Sequence, residues 1–259
     1  MRRKVLEFQK VGKRFRIYQV QKTLFRLGKS LAARIPFKRD LWVLQDISLN
    51  IKQGEKVALI GRNGAGKTTF FRVASGIYPA TTGTVRRTVP ISPLFRYGIG
   101  MNPHLPVIDN VYILGAFYGL SAGRIKRKLE EIIDFCELEK LLYLPVKNLS
   151  SGQVQRLSFS VFAQSDDAFL AFDESASLAD ARFQKKCDSY FKQLMTSDKT
   201  ILIASHNQEI LSRYCGRAIW LEEGRMQAFD SCGKTLAAYG KFCQTYNPAE
   251  VVRSPALAK

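Results

Sequence analysis

The stretch Val57-Ala58-Leu59-Ile60-Gly61-Arg62-Asn63-Gly64-Ala65-Gly66-Lys67-Thr68-Thr69 decides the reading of this chain. Four apolar residues, Val57 to Ile60, form a short strand that Gly61 ends, and a helix is expected from Lys67, closing near Gly76. Between them the residues fit the pattern G-x-x-x-x-G-K-[ST]. Glycines allow backbone conformations that other residues avoid, so successive N–H groups can turn toward one anion. The start of the following helix adds positive potential at the same spot. Lys67 can reach the β- and γ-phosphates of a nucleotide, and the Thr68 hydroxyl can hold Mg²⁺. The plainer alternative is a glycine-rich turn with a chance lysine. The strand before it and the helix after it argue for phosphate binding.

Further along, Ala168-Phe169-Leu170-Ala171-Phe172 is a buried-strand pattern ending in Asp173-Glu174. Carboxylates at the carboxyl edge of a parallel sheet lie where open α/β sheets bind ligands. Asp173 is placed to bind Mg²⁺, usually through water, and Glu174 to orient and deprotonate an attacking water. A polar cap at a strand end is the bland alternative. Thr200-Ile201-Leu202-Ile203-Ala204-Ser205 is another apolar strand and delivers His206 to the same edge, where it can hydrogen-bond a γ-phosphate. His104, the other histidine, reads as structural. In Leu149-Ser150-Ser151-Gly152-Gln153, Ser and Gly at a helix start leave several N–H groups facing outward, and Ser150 adds a hydroxyl donor. That stretch reads as a second phosphate contact or as an ordinary helix cap.

Elsewhere, Val5 to Phe15 and Val43 to Ile51 alternate as strands do. A basic insert lies between them, from Ile17 to Asp40. Residues from about 109 to 164 are mostly helical by spacing, as in Ile125, Leu129, Ile132, Ile133 and Cys136. A helix is expected from about Asp180 to Met195. Ala218–Leu221 and Arg225–Phe229, flanking Glu222-Glu223-Gly224, give a hairpin. This alternation of strand and helix points to an α/β core with a mainly parallel sheet, an antiparallel β layer and a helical insertion.

At 259 residues the chain can bury a large core. With 46% hydrophobic and 24% charged residues it is globular in balance, and no apolar run is long enough to cross a bilayer. The start lacks the apolar stretch of a signal peptide. Five scattered cysteines form no C-x-x-C pair, which argues against a disulfide framework or zinc site. Forty Lys and Arg against 22 Asp and Glu give +18. That charge fits nucleic acid, anionic lipid, or simply a solvated basic surface.

The order of phosphate loop, L-S-x-G-Q signature, Asp-Glu strand and switch histidine resembles that of ABC-type ATPases over residues 4 to 230. The resemblance implies a P-loop NTPase fold with an ABC-type nucleotide-binding domain at 1–240, its helical insertion at about 100–165, and a tail at 241–259. It implies ATP and Mg²⁺ as ligands, with Gly61, Asn63, Gly64, Gly66, Lys67, Thr68 and Thr69 around the phosphates and Phe15 stacking on adenine. Two such cassettes pair head to tail, so Ser150, Ser151, Gly152 and Gln153 would act on the partner's ATP, and Asp180 would cross the homodimer interface. Three departures stand out. Ser151 replaces a glycine of the signature. No glutamine occupies the Q-loop region, where Asn102 is the candidate. Ser177-Leu178-Ala179 lacks the glycine expected before Asp180.

One branch is closer still: the ATPases that export O-antigen, capsule and teichoic acid chains. Three stretches carry this likeness: Val11 to Tyr18 with the insert and Leu41-Trp42-Val43-Leu44-Gln45-Asp46-Ile47-Ser48, then Gly98-Ile99-Gly100-Met101-Asn102, then Asp180 to Cys187. The branch implies a peripheral subunit on the cytoplasmic face of the bacterial inner membrane. Its partners would be an integral membrane permease, a second copy of itself and, through the permease, a lipid-linked polysaccharide. The appended carbohydrate-binding domain of some members is not expected here. In the insert, Leu24, Leu27, Leu31 and Ile35 share a helical face ringed by Lys22, Arg26, Lys29 and Arg34, which suits an anionic membrane surface or packing on the domain. A soluble nucleic-acid-associated ABC protein and an ATPase of another transporter branch are the rivals. Nucleic acid is not the expected partner, because no second cassette or coiled-coil insertion is visible.

Overall fold

The computed structural model describes residues 2–19, 37–94, 98–173, 181–205 and 207–246. Its strands fall into two sheets. The antiparallel one has the order β2-β1-β4, from β1 (Lys4–Gln19), β2 (Phe37–Lys52) and β4 (Thr82–Arg87). The larger contains β3 (Lys56–Ile60), β5 (Ile91–Leu94), β6 (Phe169–Asp173), β7 (Thr200–Ala204), β8 (Arg217–Glu222) and β9 (Arg225–Ser231). Its order is β5-β6-β7-β3-β8-β9, parallel throughout except for the closing β8–β9 hairpin. The helices are α1 (Lys67–Ala74), α2 (Val107–Phe117), α3 (Ala122–Cys136), α4 (Ser151–Ala163), α5 (Ala181–Thr196), α6 (Gln208–Tyr214) and α7 (Cys232–Thr245). Among the described residues no helix is long and apolar enough to cross a membrane.

The parallel strands are continuously apolar because both faces of their sheet are covered. Val57 and Leu59 of β3 point into a core shared with β1, β2 and α1, while Ala58 and Ile60 point into a core shared with α2 to α7. β6 splits the same way, with Phe169 and Ala171 on one side and Leu170 and Phe172 on the other. Between the two sheets, α1 buries Phe70 and Phe71 completely, and the Phe70 ring packs, tilted, 5.0 Å from Phe8 of β1. Burial of each such ring contributes on the order of 2–3 kcal/mol. Its helix end is closed from outside: Arg87 donates to the Ala74 carbonyl at 2.6 Å.

Three expectations need adjustment. The β1–β2 ladder runs out to Ile17↔Arg39, Tyr18↔Lys38 and Gln19↔Phe37, so both ends of the expected insert are strand. The helix expected within it falls on residues 20–36 and lies outside the described residues. The boundary expected at 240 falls inside α7, which continues to Thr245, with Phe242 packed 5.2 Å from Trp220 and Tyr246 5.4 Å from Phe242. The hairpin turn is tighter than the three residues expected. Glu222 pairs with Arg225, which leaves Glu223 (φ 48°) and Gly224 (φ 74°) as a two-residue turn with both φ positive, the pairing that matches strand twist.

Candidate functional site

At the carboxyl edge of the parallel sheet lies a cavity of about 440 Å³, a size that suits a small-molecule ligand. The phosphate loop forms its floor: Gly61, Asn63, Gly64, Gly66, Lys67 and Thr68 all line it, with Thr69 beside them. Val43 of β2 and Ala204 and Ser205 at the end of β7 form further walls. Among these described lining residues Lys67 is the only charged side chain, a source of positive potential at the cavity floor. The start of α1 adds to that potential. Its N-cap is Gly66 in the left-handed region (φ 104°), with no side-chain cap on the first-turn N–H groups. Gly66 is a glycine for two reasons, since a Cβ would also sit 2.9 Å from the Val43 carbonyl. Lys67 Nζ donates to the carbonyls of Gly61 (2.6 Å) and Arg62 (3.1 Å), which holds the ammonium against the loop's own backbone.

The loop is fastened on its outer side. The Gly224 N–H donates to the Ala65 carbonyl at 3.1 Å, and the Gly224 carbonyl accepts from the Gln45 N–H at 2.8 Å. Arg62 Nε donates to Glu222 Oε1 at 2.7 Å.

The register of the sheet sets the carboxylate strand. Asp173 is the last residue of β6 and pairs with Ala204 of β7, which neighbours β3. Two strand spacings, about 10 Å, therefore separate β6 from the strand that feeds the phosphate loop. The Asp173 side chain is not described, and Glu174, Asp180 and His206 lie outside the described residues. Among the described residues no three His, Cys, Asp or Glu side chains cluster to hold a metal. The described donor at the loop is a hard oxygen, the Thr68 hydroxyl, of the kind that fits Mg²⁺ sharing its coordination with phosphates.

The signature stretch sits elsewhere, at the start of α4. Ser150 is the N-cap: its Oγ accepts from the Gln153 N–H at 3.2 Å, and Gln153 Oε1 accepts from the Ser150 N–H at 2.8 Å. Ser150 and Ser151 are exposed, Gly152 and Gln153 half-buried, and none of the four lines the cavity. Asn102 does not line it either. Its side-chain oxygen accepts from the His104 N–H at 3.0 Å, and its backbone is held by Asn110. Phe15 is half-buried outside the cavity, with Tyr78 edge-on at 5.6 Å and Lys13 Nζ 5.2 Å from its ring centre. Cys136, Cys187 and Cys215 are buried and their thiols pushed up to about 12 by burial, so they are packing groups.

The sequence reading missed part of the wall. Gln208 and Leu211 of α6 and Leu236 and Tyr239 of α7 line the same cavity. The signal was present in the spacing of Leu236, Tyr239, Phe242 and Tyr246, which repeats at three to four residues.

The family model described as "ABC transporter" matches residues 44–177, just over half of the chain. An O-antigen export system ATP-binding protein of Klebsiella pneumoniae is 33% identical over 201 residues, 78% of this chain and 82% of that protein. A capsule polysaccharide export ATP-binding protein of Neisseria meningitidis serogroup B is 37% identical over 198 residues, covering 76% and 89%. A teichoic acids export ATP-binding protein of Lactococcus lactis is 31% identical over 90% of this chain, which spans 50% of that longer protein. In fold, the dimeric ATP-binding cassette MJ0796 bound to ADP and Pi superimposes with a TM-score of 0.66 at 20% identity, covering 88% of this chain and 98% of that one. With the phosphate loop, the two-faced parallel sheet and these relatives together, this chain belongs to the ABC transporter family.

Proposed function

We propose that this chain is the ATP-hydrolysing subunit of an ABC exporter that moves a polysaccharide or lipid-linked glycan across the cytoplasmic membrane. The observation that carries the ATPase reading is the cavity floored by the phosphate loop Gly61 to Thr69, Lys67 among its lining, at the carboxyl edge of the sheet. The relatives, ATP-binding proteins of O-antigen, teichoic acid and capsule polysaccharide export, support the glycan reading.

The residues divide the work. Loop amides and Lys67 bind the β- and γ-phosphates of ATP, the ammonium held at the loop by the carbonyls of Gly61 and Arg62. Thr68 and Asp173 would hold Mg²⁺, which when bound neutralises phosphate charge. Glu174 orients and deprotonates water, and His206 holds the γ-phosphate side. Phe15 contacts the base. Two copies pair so that Ser150, Ser151, Gly152 and Gln153 of each reach the other's ATP, with Asp180 at the interface. Asn102 stands in the Q-loop segment. The chain is peripheral at the cytoplasmic face, docked on a membrane permease. Such catalysis is positioning plus charge stabilisation.

Glu174→Gln tests it. ATP hydrolysis should fall by about 10²- to 10⁴-fold, the usual contribution of a general base, while ATP binding stays. Hydrolysis at the wild-type rate would refute the assignment. For the glycan, deleting the gene should leave polysaccharide inside the cell, and unchanged surface glycan would exclude the export role.

A further inference from the structure

α7 lies beyond the residues matched by the family model, yet it reaches the site at two levels. Leu236 and Tyr239 form part of the cavity wall. One and two turns beyond Tyr239, Phe242 and the C-cap residue Tyr246 meet the phosphate loop. The Arg62 guanidinium lies 3.5 Å from the ring centre of Tyr246 and 5.5 Å from that of Phe242. Its Nε and a terminal nitrogen both donate to Glu222 Oε1. The Glu222 side chain is only 9% exposed, and its Oε2 has no hydrogen-bond partner. A buried carboxylate so placed depends on its cation for compensation. The backbone carbonyl of this same Arg62 accepts one of the two Lys67 hydrogen bonds.

We propose that Arg62 is a positioning residue, clamped between Glu222 and Tyr246, through which the seating of α7 sets the phosphate loop and the Lys67 ammonium for ATP. The inference rests on the ATPase reading. Its physical content is preorganisation: a loop fixed before the ligand arrives loses less freedom on binding. Arg62 itself makes no contact with ATP. It acts through the carbonyl it presents to Lys67.

The full chain is titrated with ATP, and steady-state hydrolysis is measured alongside. Tyr246→Ala should weaken ATP affinity and raise KM about fivefold, the scale of one stacked guanidinium–aromatic contact, with kcat within twofold. Tyr246→Phe, which keeps the ring, should restore wild-type affinity. Glu222→Gln, nearly isosteric, should raise KM about tenfold, since the paired charge contributes more than the ring. A merely structural role would lower the melting temperature in all three and leave the KM-to-kcat split unmoved. If Tyr246→Ala unsettles the fold, Glu222→Gln carries the test. ATP affinity unchanged in both Tyr246→Ala and Glu222→Gln, with wild type binding ATP, overturns this inference alone. A wild-type chain without ATP affinity overturns the ATPase reading and this inference with it.

Discussion

Two helix starts in this molecule were both expected to face phosphate, and they are built in opposite ways. α1 begins at Gly66, which has no side chain to cap the first turn, and that start opens on the cavity. α4 begins with a complete capping box, in which Ser150 and Gln153 satisfy each other's backbone N–H groups. The first is an open anion site within one chain. The second is finished without a ligand, and only the Ser150 O–H and the remaining first-turn amides are left to offer to a neighbour. The contrast fits a division in which one end binds tightly alone and the other contributes when a second copy arrives.

The sharpest way to break the comparison is Lys67→Ala. It removes the only charged side chain among the described cavity residues and should weaken ATP binding about a hundredfold, the worth of two charge-assisted hydrogen bonds. Titration within threefold of wild type would mean that the uncapped helix start suffices by itself. Next comes Gly66→Ala. The left-handed backbone and the close Val43 carbonyl leave no room for a methyl group, so stability should fall by about 1–3 kcal/mol, read from the denaturation midpoint. An unchanged midpoint would show that α1 can begin with an ordinary residue. The smallest effect belongs to α4. Ser150→Ala should lower stability by about 1 kcal/mol as a lost cap. Ser150→Asp keeps the cap and should restore stability, yet put negative charge where the partner's phosphate is expected and slow hydrolysis. An Asp variant hydrolysing ATP as fast as wild type would make Ser150 a cap and nothing more.

How much of this was legible depends on whether the information was local. β3, the loop and α1, β6 and β7 could be read because two-sided burial writes an unbroken apolar run, and the loop motif has fixed spacing. The hairpin was legible from Glu223-Gly224, although its turn proved one residue shorter. β4 and β5 were not. β4 is Thr-Gly-Thr-Val-Arg-Arg, largely exposed and without clear alternation. β5 is four residues with Pro93 inside, tolerated because β5 is the edge of its sheet. Gly233 and Gly240 weaken the helical pattern of α7, which is held by tertiary contacts. In the site, the phosphate-loop residues were legible because their motif follows directly on β3. The Arg62–Glu222 pair joins positions 160 residues apart, and nothing local announces it.

Gly224 has a mechanical corollary. Its single peptide neighbourhood is bonded to Ala65 on one side and Gln45 on the other, and the Val43 carbonyl abuts both Gly224 and Gly66. The nucleotide loop, the β8–β9 turn and strand β2 are thus pinned at one rivet. A shift of the loop is therefore passed to β2, where Leu41 and Trp42, the two residues before Val43, stand exposed at the surface.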